Sequence, residues 1–215
     1  MENLELKIIS KYMDSVLMNG KNPESIYKFS KENEIEEQEF YKYFSSFDHI
    51  EKTIFGQFAT NSLALLEKNE DFSSFDSKNR LLSFYFTFFE TLSANRSYVL
   101  YALENHSSSL KNLKKLHSLK LIFIDFIKTL EIEKIEIKQD KLQKLQEKGM
   151  EESFWIQLLL VLKFWMNDTS PSFEKTDLFI EKSLQASFDM MNTQPIKSIL
   201  DLGKFILKET IDYKL

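Results

Sequence analysis

The chain has 215 residues, a formal net charge of −5 and no cysteine. That length holds one or two compact units with material for a core, and the missing thiols exclude disulfides, zinc–thiolate centres and thiol catalysis. Only 4 Gly and 3 Pro stand against 20 Phe, so breaks are few and segments long. The expected class is all-α, with aromatic side chains enough for a wide interior, a dimer face or a hydrophobic cavity.

Residues 3–19 read as an amphipathic helix with Leu4, Ile8, Tyr12, Ser15 and Val16 near one face, ended by Gly20 as its C′ residue. Two short helices joined by a tight turn follow between Asn22 and Ile50. Asn22 suits an N-cap and Pro23 the first helical position. Ile26 and Phe29 start a buried stripe, the polar run Lys31-Glu32-Asn33-Glu34 interrupts it, and Ile35 plugs the corner. A second helix begins near Glu36 and carries Phe40, Tyr41, Tyr43 and Phe44, which completes a helix-turn-helix pattern.

The set Ile26, Phe29, Ile35, Phe40-Tyr41-Lys42-Tyr43-Phe44, Ser46 and Ile50 resembles, without a gap, the N-terminal domain of the tetracycline-repressor-like transcriptional regulators. The likeness is specific over roughly residues 4–55; the segment SPSFEKTDLFIEK, from Ser170 to Lys182, is similar to a block from one branch of that family. The resemblance implies a helix-turn-helix domain over 1–47 and a larger helical effector-binding and dimerisation domain over 48–215. It further implies a homodimer on operator DNA that answers to a small hydrophobic effector, with no cofactor and no enzymatic activity.

Several positions depart from the family pattern. Glu34 replaces the turn glycine, Glu36 replaces the usual serine, and Phe47 stands where a lysine usually meets a phosphate. Residues 1–55 hold seven Lys against eleven Asp and Glu, a net of −4, whereas DNA binding rests largely on neutralising phosphates with cations. Carboxylates in a first helical turn favour the helix, and a glutamate can accept from cytosine N4. Glu36, Glu37, Gln38 and Glu39 would then face the major groove, with Asn22, Ser25, Lys28, Tyr41, Lys42 and Tyr43 left for phosphates. The rival reading is a binding module of the same fold that has lost DNA and works through a ligand or a protein.

Ser46 is the expected cap of a helix from Phe47 to about Asn69 with the face Ile50, Ile54, Phe58 and Leu65. Asp71–Ser77 is loop-like, and Asp76 or Ser77 caps a helix from Lys78 to Ala94 that is apolar nearly all round. Arg96 to Glu104 makes a short helix, and a longer one runs through Leu130. Residues 131–139 alternate as a strand would but have no strand partner, so a helical extension or an ordered loop stays open beside it. Asp140 caps a helix to about Asn167, with Gly149 a candidate kink. Pro171 opens a helix from Ser172 to Asn192, and Pro195 starts a last one with Ile199, Leu202, Phe205 and Ile206.

The three histidines, His49, His106 and His117, lack metal-ligand spacing, and neither a glycine-rich phosphate loop nor a nucleophile elbow is present. Paired carboxylates such as Glu151-Glu152 read as solvated helix faces. Phe84, Tyr85, Phe88, Phe89, Tyr98 and Tyr101 either fill a core or line an effector cavity; in the second case Phe123 and Trp155 join them, with the Tyr hydroxyls, His106 or His117 as polar tips. Phe154, Leu158, Val161, Leu162 and Trp165, with Phe173, Ile180, Leu184, Phe188 and Met191, either bury within one chain or meet their copies in a second, isologous one. The first twenty residues lack a leader's apolar core, and the longest apolar run, Trp155 to Met166, is too short for a bilayer. A cytoplasmic protein without a membrane partner is expected.

Overall fold

The computed structural model describes residues 4–104, 113–132 and 140–191. The regular elements among them are helices: α1 (Leu4–Asn19), α2 (Ile26–Glu32), α3 (Glu37–Tyr43), α4 (Phe47–Glu67), α5 (Ser77–Ala94), α6 (Arg96–Glu104), α7 (His117–Thr129), α8 (Asp140–Asn167) and α9 (Glu174–Met191). Short 3-10 turns at Glu70–Ser74 and Pro171–Phe173 precede α5 and α9. The all-α expectation holds. The strand-like run 131–139 falls almost wholly outside the described residues, as do the helix expected after Pro195 and His106.

Caps explain most helix starts. The Ser46 hydroxyl accepts from His49 N–H at 3.1 Å and opens α4, and the Asp76 carboxylate accepts from Asn79 N–H at 2.7 Å ahead of α5. Gly20, at φ 65°, ends α1 in the left-handed conformation. Two starts differ from expectation. Ser25, rather than Asn22, caps α2, accepting from Lys28 N–H at 3.1 Å, so Pro23 lies before the helix. Likewise α9 begins at Glu174, because Ser172 and Phe173 have φ of 52° and 60° and cannot continue a right-handed helix. Gly149 lies inside α8 without interrupting it.

Packing divides the chain into two compact units, one of Met1–Asn69 with Thr87–Asp125, the other of Glu70–Phe86 with Phe126–Leu215. In the first, α2 packs on α3 and α1 on α6. An aromatic cluster fills its N-terminal part: Phe47 stacks on Tyr12 at 5.4 Å, and Phe29 and Phe40 meet Phe47 edge-on at 5.8 and 5.9 Å. Such offset and edge contacts suit the ring quadrupoles. Ile50, Ile54 and Phe58 of α4 are buried, while Leu65 is exposed. Gly56 lets α4 approach α7 closely, since a Cβ there would sit 2.9 Å from that of Ser118. In the second unit α8 and α9 pack together around Phe154, Leu158, Val161, Trp165, Ile180 and Leu184.

Candidate functional site

The turn of the helix-turn-helix closes by backbone geometry. Ile35 N–H donates to Ser30 C=O at 2.9 Å and Glu34 N–H to Lys31 C=O at 3.4 Å, the paired bonds of a Schellman C-cap. Glu34 supplies the left-handed residue this motif needs, at φ 56°. Ile35 is buried below it, so α3 leaves the corner in a fixed direction. Helix α3 starts at Glu37 with Glu36 as an extended N-cap whose side chain caps nothing. Phe40 faces the core, whereas Glu36, Gln38, Tyr41, Lys42 and Tyr43 are exposed and Glu37 and Glu39 half-buried.

The cations of this head are engaged locally. Lys28 lies 3.2 Å from Glu24 and 4.0 Å from Glu32, Lys21 4.0 Å from Glu24, and Lys42 pairs with Glu39. The last contact raises the Lys42 pKa through a hydrogen bond and the neighbouring charge. Lys31 sits over the Tyr27 ring. Phe47 does not merely omit a phosphate contact; its ring belongs to the cluster with Tyr12, Phe29 and Phe40. Of the residues expected at DNA, Ser25, Lys28, Tyr41, Lys42 and Tyr43 are exposed. Asn22 is the exception, because its side chain is used inside the protein.

That use is a buried polar cluster in the first unit. Glu51 on α4 is 4% exposed and Lys115 6% exposed, so neither charge can rely on water and each must find partners. Lys115 Nζ lies 3.0 Å from one Glu51 oxygen and donates to Ala102 C=O at 3.1 Å. The other Glu51 oxygen accepts from Tyr12 OH at 2.8 Å and from Asn22 Nδ2 at 3.2 Å. Tyr101 OH donates to Asn22 Oδ1 at 3.0 Å. Burial, then the adjacent carboxylate, push the Tyr12 phenol far above its ordinary pKa, so it stays protonated and donating. The sequence does contain a signal for Glu51: it shares the spacing of Phe55, Phe58 and Ser62, all buried.

The expected effector-lining residues fall on both units. Phe88, Phe89, Tyr98 and Phe123 are buried in the first, and Phe84, Tyr85 and Trp155 in the second. Burial raises the pKa of both Tyr85 and Tyr98. Tyr101 is half-buried, with its hydroxyl committed to Asn22. His117 is exposed and so is no polar tip within an interior.

The expected interface residues are mostly engaged within the chain. Phe154, Leu158, Val161, Leu162, Trp165, Ile180 and Leu184 are buried within one chain, and Phe173, Phe188 and Met191 are partly covered. The outward apolar face of the same helices is one or two residues round: Ile156, Leu160 and Phe164 on α8 and Leu178 on α9. Phe164 stacks on Phe179 at 4.6 Å. An open groove of about 390 Å³ lies there, lined by Leu160, Lys163, Phe164, Asn167, Asp168, Thr169, Lys175 and Phe179. Asp168 closes the end of α8 onto α9: one oxygen accepts from Ser170 N–H and Oγ at 2.9 and 2.7 Å, the other from Thr176 N–H and Oγ1 at 2.9 and 2.7 Å. Burial opposes the charge, but these four bonds overcome it and hold the carboxyl at about 2.

Among the described residues no cluster of three His, Asp or Glu could hold a metal ion, and no helix is long and apolar enough to cross a membrane. Residues 80–206, more than half of the chain, match the family described as tetracyclin repressor-like, C-terminal domain. No curated protein matches the chain.

Proposed function

The chain belongs to the tetracycline-repressor-like family, and from that premise we propose a regulator that binds operator DNA as a homodimer and releases it on binding a small hydrophobic effector. The observation that supports DNA as the target is the corner at Glu34–Ile35, which aims α3 outward with Gln38, Tyr41, Lys42 and Tyr43 exposed. Glu36–Glu39 would meet base edges, with cytosine amino groups as the natural donors to carboxylates. Ser25, Lys28, Tyr41, Lys42 and Tyr43 would meet phosphates. The exposed row Ile156, Leu160, Phe164 and Leu178 suits a self-complementary contact with a second copy. Two heads would then meet half-sites about 34–36 Å apart. An effector among the body aromatics acts by favouring the arrangement of heads that fits DNA less well.

A gel-shift series against the DNA upstream of the chain's own gene, run from low to high salt, tests this. Lys28 and Lys42 from two heads neutralise at most four phosphates, so the slope of log K against log salt should be no steeper than about −4. Absence of retardation at the lowest salt removes DNA from the proposal. The pairing of Lys21, Lys28 and Lys42 with glutamates and the inward ring of Phe47 then favour the second reading, a module of the same fold acting through its ligand or a protein.

A further inference from the structure

Within the first unit, five chain segments converge on one buried carboxylate. Tyr12 comes from α1, Asn22 from the loop after it, Glu51 from α4, Tyr101 and the Ala102 carbonyl from α6, and Lys115 from the stretch leading into α7. These groups join α1, the loop that follows it and α4 to α6. A buried ion pair is a poor means of adding stability, because apolar residues of the same volume commonly do as well or better; breaking one by removing a single partner is costly. Such a pair makes a junction all-or-none: it is closed with every donor in place, or a charge is stranded.

One donor on α6 is unused. Tyr98, on α6 beside Tyr101, is 1% exposed, and its hydroxyl finds no hydrogen-bond partner among the described residues. Its ring meets Phe55, one turn along α4 from Glu51. A buried phenol without an acceptor carries a standing cost, and burial, then the Glu51 charge, keep that hydroxyl protonated and able to donate.

We propose that Glu51 is the hub of a two-position latch, held closed by Lys115 and caught by Tyr98 when open, which fixes or frees the N-terminal helices relative to α6. The latch stands whether the head meets DNA or a protein, since all its parts are internal to the first unit. Closed, Glu51 is held by three groups, Tyr12, Asn22 and Lys115, and the head is fixed. Open, the Ala102 carbonyl loses Lys115, Glu51 turns toward Tyr98, and α1 and the start of α4 move against α6.

Hydrogen exchange on the full-length chain tests the latch. In the wild-type protein with sub-denaturing urea, peptides of 5–19 and 47–60 should exchange through an opening of their own, with a smaller urea dependence than peptides of 154–165 and 176–188. A single shared dependence overturns the latch. Lys115→Met should speed exchange in the first set roughly a hundredfold and leave the second unchanged. Adding Tyr98→Phe to Lys115→Met should speed it further, because the catch is gone, while Tyr98→Phe alone leaves it unchanged. Glu51→Leu with Lys115→Met removes both charges and should bring exchange back from the Lys115→Met rate toward wild type, short of it by the Tyr12 and Asn22 donors left without an acceptor. Exchange in Lys115→Met that rises equally in both sets, or not at all, contradicts the proposal, as does Tyr98→Phe alone acting as strongly as Lys115→Met. Should Lys115→Met not fold, the wild-type urea series and the charge-free double variant decide it.

Discussion

Glu34→Gly should stabilise this protein. Glu34 is the C′ residue of α2 at φ 56°, a conformation that costs an L-residue about 1–2 kcal/mol. Nothing else in the motif depends on its side chain: the turn is closed by the N–H groups of Glu34 and Ile35 and by Asn33, whose Nδ2 donates to Phe29 C=O at 2.8 Å. Glycine removes the Cβ penalty and adds about 0.5–1 kcal/mol of unfolded-chain entropy against it. The net is a gain of about 0.5–1 kcal/mol, or roughly 1–4 °C in melting temperature for a chain of this size. Thermal unfolding followed by circular dichroism, with Glu34→Gln and Glu34→Ala as controls, separates strain from charge. Glutamine and alanine keep the Cβ and should gain little. A glutamine variant that matches glycine would place the effect in the head's carboxylate crowding and refute the backbone argument, as would a glycine variant that melts lower.

Three further outcomes follow from single contacts. Phe47→Lys restores the cation usual at that position but removes a ring packed on Tyr12, Phe29 and Phe40, so urea unfolding should show a loss of about 1.5–3 kcal/mol, while any DNA complex gains about one unit of salt slope per added phosphate contact. Asp168→Asn weakens the bonds to Ser170 and Thr176 and releases the strained Ser172-Phe173 turn; with the folded carboxyl at about 2, below an unfolded value near 3.9, its contribution is present above about pH 4 and is lost as pH falls toward 2. Discounted for the open groove at its flank, that contribution is about 1–2 kcal/mol, and the stability difference between wild type and Asp168→Asn should shrink across that window. Ile156→Glu with Leu160→Glu, which spares the Phe164–Phe179 stack, should give a monomer in light scattering where the wild type gives a dimer and should change the melting of the monomer little, whereas Leu158→Glu, at a buried position, should unfold it.

Local signals placed the fold well and long-range ones poorly. The Ser46 cap, the Asp76 cap and the Gly20 stop are short-range hydrogen-bonding or steric demands visible in a few residues. The rotational face of α8 was harder. Periodicity picked out the band Phe154, Leu158, Val161, Leu162 and Trp165, all of it buried, but could not say whether that band or the exposed Ile156 and Leu160 would face a second copy. The aromatic body residues were legible as buried, but whether they fill or line a space is set by volume, not by pattern. Asn22 was misplaced for a related reason. Its capping chemistry is real, but Ser25 serves that role and Asn22 bonds to Glu51 and Tyr101 on other helices. Glu51 and Lys115 lie far apart in the chain, and only tertiary packing brings them together.

The acidic head has to be weighed by magnitude. Lys28 and Lys42 are paired with glutamates, yet both are half-exposed, and such surface pairs hold together by only about 0–1 kcal/mol. A phosphate can therefore exchange for Glu24 or Glu39 at small cost. At physiological ionic strength a charge is felt over about 8 Å, so most head carboxylates are screened from a docked duplex and only those on α2 and α3 count. Glu36, Glu37 and Glu39 stand at the end of α3 that would enter a groove, where each repels phosphates unless it finds a cytosine amino group. Their repulsion is screened by the same salt that screens the attraction of the lysines. Binding by this head should thus be weaker at low salt than binding by a basic one, but should fall more slowly as salt rises. Neutralising Glu36 and Glu37 to glutamine should both tighten non-specific binding and steepen its salt dependence. If specific binding tightens equally, those carboxylates are not reading bases.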